Sequence, residues 1–328
     1  MPIDASNAPS GNLMPHEKLA RGIVTEDPLT HMPIGASIAF ETIAFEGSNA
    51  TPVPQGVDNW TFFEGALLAV CVRTAAEERI VGTAAIIAPG LAISATHVIS
   101  DDMPALLEGK ASLTCFGVAT TGLHIWRVGK FNVCDSGDDI CFLSLELASA
   151  LTPETQLRKF ALTTRVPTVD EVLHVVGFQL PNVTRVTASV GFHAGGALYL
   201  AAGTVTAVYP CGRDKLLLPY ASIEIACGTL CGMSGGAVLD GDGRLVGIIS
   251  RGWDLPDGDG PSYAAWVVGA LNREVEVTWP AGLYPQPARL LDIDHSALRI
   301  EGRERIQIGA ERPNEPHIVI GSRSLQQT

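Results

Sequence analysis

The sequence predicts an all-β protein with two β-rich halves of similar size. From residue 60 onward, short apolar runs separated by turn residues recur at roughly 8–12-residue intervals, a rhythm typical of sandwiches and barrels. The 34 glycines and 21 prolines are spread among these runs, which favours many short strands over long helices. Because 46% of the residues are hydrophobic and only 17% are charged, the chain predicts a packed globular protein rather than a disordered one.

The apolar runs divide into two sets of six. The first set covers 66–73, 80–88, 91–99, 111–119, 124–131 and 139–147, and the second covers 171–178, 184–192, 203–210, 215–225, 236–250 and 263–271. The polar segment 149–158 between them contains Pro153 and predicts a link. We therefore expect an N-terminal extended arm at 1–57, a first β unit at 58–150, a second at 151–272 and a C-terminal extension at 273–328, with a hairpin predicted over 288–308.

The charge and hydropathy pattern excludes two classes of partner. A net charge of −13 offers no long-range positive field for nucleic acid or for an anionic membrane surface. The most apolar stretch, 81–99, is interrupted by Pro89 and Gly90 and contains His97, so it is not predicted to cross a membrane. The first 18 residues contain no apolar core of an export signal, and we expect a cytoplasmic protein.

The seven cysteines do not follow the dense spacing of a secreted disulfide scaffold. Their number is odd, and mostly reduced thiols are expected. Cys227 and Cys231 are spaced like half of a zinc site, but no second Cys or His pair has ligand spacing. We therefore expect ordinary thiols, no metal site and no cofactor.

The segment Gly232-Met233-Ser234-Gly235-Gly236 is the first candidate for chemistry. A serine between glycines lets a substrate approach the backbone, and it lets successive N–H groups point at one oxyanion. A glycine-rich turn is the structural alternative. The pattern also fits the nucleophile elbow of α/β-hydrolases, but that motif requires a helix after the serine. Here Asp240-Gly241-Asp242-Gly243 instead predicts a hairpin, so an esterase of that class is the weaker alternative.

Two segments upstream supply a candidate base and a candidate acid. His97 ends the apolar run 91–99, where its ring could face a cleft or remain in the edge of a core. Asp139 directly precedes the apolar run at 140–147, and a carboxylate entering a core needs hydrogen-bond donors such as a histidine N–H. Asp138 is interpreted as part of a solvated turn.

Taken together, the three segments resemble the chymotrypsin-like (trypsin-fold) serine peptidases, in a non-secreted bacterial-type form. The resemblance depends on A-T-H at 95–97, D-I-x-x-L at 139–143 and G-x-S-G-G at 232–236, which occur in the family's order. It covers residues 60 to 272. It implies two six-stranded antiparallel β-barrels, 58–150 and 151–272, with an active site in the cleft between them.

The resemblance implies a role for each matching residue. Ser234 would be the nucleophile, His97 the general base and Asp139 the group that orients the histidine. The backbone N–H groups of Gly232 and Ser234 would form the oxyanion hole. The substrate-binding residues would be Gly228, Thr229, Ser250, Arg251, Gly252 and Ser262.

Departures from the family pattern bear on activation and specificity. Val98 stands where secreted members carry a cysteine, and Met233 stands where they carry the acid that pairs with a newly cut N-terminus. Gly228 stands where trypsin-like enzymes carry a pocket aspartate, so we expect an uncharged P1 residue of small to medium size, with an acidic P1 facing Arg251 as the alternative. The predicted function is a serine endopeptidase acting on a protein substrate, and one dedicated target or activating partner is the expected partner. The alternative is a catalytically latent or pseudoprotease binding scaffold of the same fold.

Overall fold

The computed structural model describes residues 18–32, 38–45, 50–59, 61–133, 137–186, 191–253, 260–312 and 315–320. The outer parts of the predicted arm and extension, 1–17 and 321–328, lie outside the described residues. Before the first barrel come β1 (Lys18–Ile23), β2 (Phe40–Thr42) and β3 (Gln55–Gly56). Two short helices, α1 (His97–Ser100) and α2 (Met103–Leu107), follow the third strand of that barrel.

The first barrel is closed by six antiparallel strands. They are β4 (Leu67–Arg73), β5 (Glu78–Ala88), β6 (Leu91–Ser94), β7 (Ser112–Ala119), β8 (Gly122–Val133) and β9 (Cys141–Leu147). The pairing order is β4, β5, β6, β9, β8, β7 and back to β4. The barrel strands bury large side chains on both faces, including the fully buried Phe116, Trp126 and Phe142. Trp126 pairs with Cys115, so it lies on the opposite face of the sheet from Phe116.

Two short strands, β10 (Leu157–Lys159) and β11 (Leu162–Thr163), lead to the second barrel. That barrel contains β12 (Val172–Val186), β13 (Gly191–Tyr209), β14 (Ser222–Ile225), β15 (Ala237–Leu239), β16 (Leu245–Gly252) and β17 (Ser262–Trp266). It closes antiparallel in the order β12, β13, β14, β17, β16, β15 and back to β12. The predicted fold class, all-β with two six-stranded antiparallel barrels, is confirmed.

Four predicted strands differ from the observed ones. The run 263–271 stays extended only to Trp266, because Val267–Ala270 form a 3-10 helix. The run 91–99 stays extended only to Ser94, since α1 starts at His97. The run 184–192 spans the end of β12 and the start of β13. Of 215–225, only the last four residues form a strand, because Asp214 Oδ1 accepts hydrogen bonds from the backbone N–H groups of Leu216 and Leu217 and holds a turn there.

The described parts of the arm and of the C-terminal extension pack onto the barrels. Strands β1 and β3 pair with β13, and β2 pairs in parallel with β10. After the second barrel come β18 (Glu274–Val275), β19 (Ala288–Arg289), β20 (Ile300–Glu301), β21 (Ile306–Arg312) and β22 (Glu315–Ile320). The predicted hairpin over 288–308 is wrong: β19 pairs with β18, β20 with β11, and the hairpin is formed by β21 and β22. Short apolar runs did not reveal which strand each would pair with.

Lys159 anchors the C-terminal extension and gives a pH-dependent prediction. Its side chain is buried, and Nζ donates hydrogen bonds to the carbonyl oxygens of Ser296 and Ala297, both at 2.5 Å. Burial, with a smaller contribution from Arg299, lowers the pKa of Lys159 from 10.5 to about 8. Between these pH values the unfolded chain binds more protons than the folded one, so this group makes the folded state more stable as pH rises.

The expected result is a free energy of unfolding that rises from pH 8 to pH 10.5 in the wild type relative to Lys159→Met. Denaturant titration of both proteins at several pH values measures the difference. The variant is the control for all other titrating groups. Parallel curves for the two proteins would contradict the prediction.

Candidate active site

His97 and Asp139 form a hydrogen-bonded pair at the edge of the first barrel. The ring Nδ1 of His97 lies 2.7 Å from Asp139 Oδ2, and the backbone N–H of His97 donates to Asp139 Oδ1 at 2.9 Å. His97 starts α1 three residues after β6, and Asp139 lies two residues before β9, which pairs with β6. With both oxygens engaged by one residue, the carboxylate fixes the position and the ring orientation of the histidine.

A second chain of hydrogen bonds reaches Asp139 from the second barrel. Ser250 Oγ donates to Asp139 Oδ2 at 2.5 Å, and Tyr220 OH lies 2.5 Å from Ser250 Oγ. Since the single hydroxyl proton of Ser250 goes to the carboxylate, Tyr220 is the donor in the outer bond. Burial and the charge of Asp139 raise the pKa of Tyr220, which keeps its phenol protonated. The hydroxyl of Ser250 thus faces Asp139.

Ser234 lies in a tight loop between β14 and β15. Gly232 and Gly235 have φ values of +97° and +78°, where a side chain would be strained. A β-carbon on Gly235 would overlap Thr83 O and Ser94 Oγ and would stand 3.0 Å from Ala95 N. This loop therefore presses against the end of β6, three residues or fewer from His97.

The same convergence is visible at Gly82 on β5. A β-carbon built there would lie 2.9 Å from the carbonyl oxygen of Ser234 and 2.7 Å from Val98 Cγ2. Val98, the residue after His97, and the backbone of Ser234 therefore both pack against Gly82. The structure brings the three candidate segments to one place in the cleft between the barrels.

After Ser234 the chain makes a β-hairpin, not a helix. Asp240 Oδ1 accepts hydrogen bonds from the backbone N–H groups of Asp242 and Arg244, and Gly243 has φ +77°. β15 and β16 pair across this turn. The α/β-hydrolase alternative needs a helix after the serine, so it is wrong.

The predicted substrate-binding residues come from three segments that touch each other. Gly252 pairs with Ser262, and a β-carbon on Gly252 would collide with Thr229 Oγ1. Ser262 Oγ, which is buried, donates to the carbonyl oxygen of Cys227. Gly228 is buried next to it, and its N–H donates to Pro52 O of the arm at 2.8 Å. The three segments that carry the predicted substrate-binding residues therefore lie close together beside Thr229.

Arg251 faces a different space from the other predicted pocket residues. A cavity of 420 Å³ adjoins the histidine, and Arg251 lines it together with His97, Leu216, Leu217 and Tyr220. Leu216 is 86% exposed. Arg251 therefore belongs to the histidine side of the cleft, beside an exposed apolar loop.

The candidate zinc pair does not form a metal site in the described part of the chain. Cys227 is buried and Cys231 is exposed, and both are free thiols. No group of three or more His, Cys, Asp or Glu residues among the described ranges is arranged to hold a metal ion. In the same ranges, no helix combines the length and the apolar character that crossing a bilayer requires.

Two closed antiparallel barrels, with a His–Asp pair at the edge of one and a glycine-flanked serine in the other, define a chymotrypsin-like double-barrel protein. The family model described as a trypsin-like peptidase domain matches residues 82–248, which is more than half of the chain. The chain belongs to the trypsin-like peptidase family.

Among the many solved structures that the chain is similar to is neuropsin, a serine protease expressed in the limbic system of mouse brain, with 15% sequence identity and a TM-score of 0.42. The similarity covers 62% of this chain and 90% of neuropsin. No curated protein matches the sequence.

Two residues of the site escaped prediction from the sequence. Tyr220 lies in the apolar run 215–225, which predicts a strand, and Thr83 lies in the apolar run 80–88, which contains no motif. Thr83 donates its hydroxyl to Gly232 of the other barrel, and Tyr220 donates its hydroxyl to Ser250, which in turn bonds to Asp139. The only trace of either role in the sequence is a polar residue placed within an apolar run.

Proposed function

We propose that this chain is a serine endopeptidase that cleaves a protein substrate through an acyl-enzyme. The observation that supports it most is the pair of hydrogen bonds from His97 to the two oxygens of Asp139. A carboxylate on Nδ1 keeps the ring in the tautomer whose Nε2 is free to accept a proton. The glycine-flanked loop of Ser234 converges on the same end of β6.

The proposed reaction uses only side-chain and backbone groups of this chain. Ser234 Oγ attacks the carbonyl carbon of the scissile peptide bond, and its proton passes to His97 Nε2. The negative oxygen of the tetrahedral intermediate accepts hydrogen bonds from the N–H groups of Gly232 and Ser234. The C–N bond breaks as Nε2 gives the proton to the leaving amine. Water then attacks the ester with His97 as base, which releases the acid and restores Ser234.

The proposed P1 residue is uncharged and small to medium in size. The segments at 227–229 and 250–252 are close, since Thr229 Oγ1 occupies the place of a Gly252 side chain. Gly228 brings no carboxylate to pair with a lysine or arginine. In a peptide library varied at P1, alanine, serine and valine are expected to be cleaved at least about ten-fold faster than lysine and arginine. A preference for Lys or Arg at P1 would contradict this assignment.

A fluorophosphonate probe tests the proposed nucleophile. Wild-type protein is expected to be labelled at Ser234, and Ser234→Ala to lose the label because it lacks the proposed nucleophile. Ser112→Ala, which removes an exposed serine on β7, is the matched control and should label like the wild type. Hydrolysis of an unfolded protein by the wild type separates a peptidase from an esterase. Wild-type protein that neither labels nor cleaves would favour the binding-scaffold alternative.

A further inference from the structure

Thr83 connects the first barrel to the loop that carries Ser234. It lies in β5 and is fully buried. Its hydroxyl donates to the carbonyl oxygen of Gly232 at 2.8 Å and accepts from the backbone N–H of Phe178 at 3.1 Å. Its own backbone N–H donates to the carbonyl oxygen of Ser234 at 2.8 Å. One residue thus holds the carbonyl groups of both proposed oxyanion donors.

The position of Phe178 explains why a hydroxyl is needed at this point. β12 pairs with β15 only from His174 to Val176, so Phe178 lies two residues beyond that pairing. Thr83 Oγ1 supplies an acceptor to the Phe178 N–H there. A hydroxyl can accept from one backbone group and donate to another, which a valine of the same shape cannot do.

The carbonyl group of Gly232 is held in one orientation by contacts on both sides of the loop. With φ at +97°, Gly232 has a backbone conformation that only glycine adopts easily. A β-carbon on it would lie 3.0 Å from Phe178 O, so the loop is close against β12 on one side. The bond from Thr83 fixes the peptide plane on the other side.

Resting on the proposed function, we propose that Thr83 is a positioning residue for the oxyanion hole. Its hydroxyl ties Gly232 to β12, and its backbone N–H holds Ser234, so that the two N–H donors stay aimed at one point. Oxyanion stabilisation depends on donors that are in place before the charge develops. Thr83 touches no substrate and acts only through this loop.

Thr83→Val removes the hydroxyl and keeps the shape. We expect kcat to fall about ten- to a hundred-fold while KM changes less than about three-fold, because the loss concerns the transition state. A peptide boronate, which mimics the tetrahedral intermediate, should lose affinity by a similar factor. Thr83→Ser keeps the hydroxyl and should stay within about three-fold of the wild type in each measurement.

Thr163→Val is the matched control. Thr163 is also buried, on β11, and its hydroxyl accepts from the N–H of Arg165. The Thr163→Val variant loses a buried hydroxyl that lies outside the cleft, and its kcat should be unchanged. If Thr83→Val does not fold, the pair Thr83→Ala and Thr83→Ser carries the same comparison. Equal kcat in the variants with and without the hydroxyl would overturn the proposal.

Hydrogen exchange separates this proposal from the proposed function. In a Ser234→Ala background, Thr83→Val should speed amide exchange in 230–237 about ten-fold, whereas Thr163→Val should not. Met233, Gly235 and Gly236 report on the loop, since their N–H groups are hydrogen-bonded to Leu230, Ile249 and Met233. This readout does not depend on cleavage. Unchanged exchange would overturn the role of Thr83 even in an active peptidase, and faster exchange in an inactive protein would overturn only the function.

Discussion

Asp139→Asn is expected to lower kcat about 10⁴-fold at neutral pH, a loss typical of a histidine held in the wrong tautomer. The amide oxygen must face the backbone N–H of His97, because an NH₂ group there would set donor against donor. The amide nitrogen then faces Nδ1 and Ser250 Oγ, where the carboxylate now accepts both hydrogen bonds. Nδ1 becomes an acceptor, the proton moves to Nε2, and His97 can no longer accept a proton from Ser234.

Steady-state kinetics with a peptide substrate measures this effect, and the unfolding midpoint checks that the variant is folded. Asp102→Asn is the matched control. Asp102 is partly buried five residues after His97, where it pairs with Arg79 at 2.6 Å. The variant removes one charge of a partly buried ion pair but keeps an amide oxygen that can accept a hydrogen bond from Arg79, and it should leave kcat within about two-fold. An Asp139→Asn variant with more than a tenth of wild-type kcat would show that the His97–Asp139 pair does not set the tautomer.

The outline of the fold could be predicted because strands leave local patterns. Apolar runs such as 66–73 and 139–147 became β4 and β9 almost unchanged, and the turn at 240–243 was correctly expected to join two strands. The candidate triad segments were recognisable because each has a short motif. Such patterns depend on neighbours in sequence, so a single chain is sufficient to reveal them.

The remaining parts of the site depend on contacts between distant residues. Thr83 and Gly232 are 149 positions apart, and Ser250 and Asp139 are 111 apart. No local pattern marks a hydroxyl whose partner lies in the other barrel. The C-terminal extension was likewise expected only as an extension, although its Trp279 is buried against the first barrel. The extension can pack there because a glycine in the first barrel leaves room for the backbone of Trp279.

That glycine is Gly90, between β5 and β6, and Gly90→Ala is expected to destabilise the protein by about 3–5 kcal/mol. Its φ is +70°, and a β-carbon there would overlap Trp279 O and lie 2.7 Å from Trp279 C. Three contacts prevent the C-terminal extension from moving away from this added atom. The Trp279 ring packs 5.5 Å from Trp126, its Nε1 donates to Asp27 at 3.1 Å, and Tyr284 OH donates to Pro89 O at 2.6 Å.

Gly109→Ala separates the steric clash from the backbone strain. Gly109 has nearly the same φ, +69°, but nothing lies within 4 Å of a β-carbon built on it. The free energy of unfolding of Gly109→Ala should fall only by the cost of an alanine in the left-handed conformation, about 1 kcal/mol. Denaturant unfolding of the two variants gives the difference directly. If Gly90→Ala were no less stable than Gly109→Ala, the extension would not be held against the β5–β6 turn, whereas a difference of about 2 kcal/mol or more means that the tail is part of the folded unit.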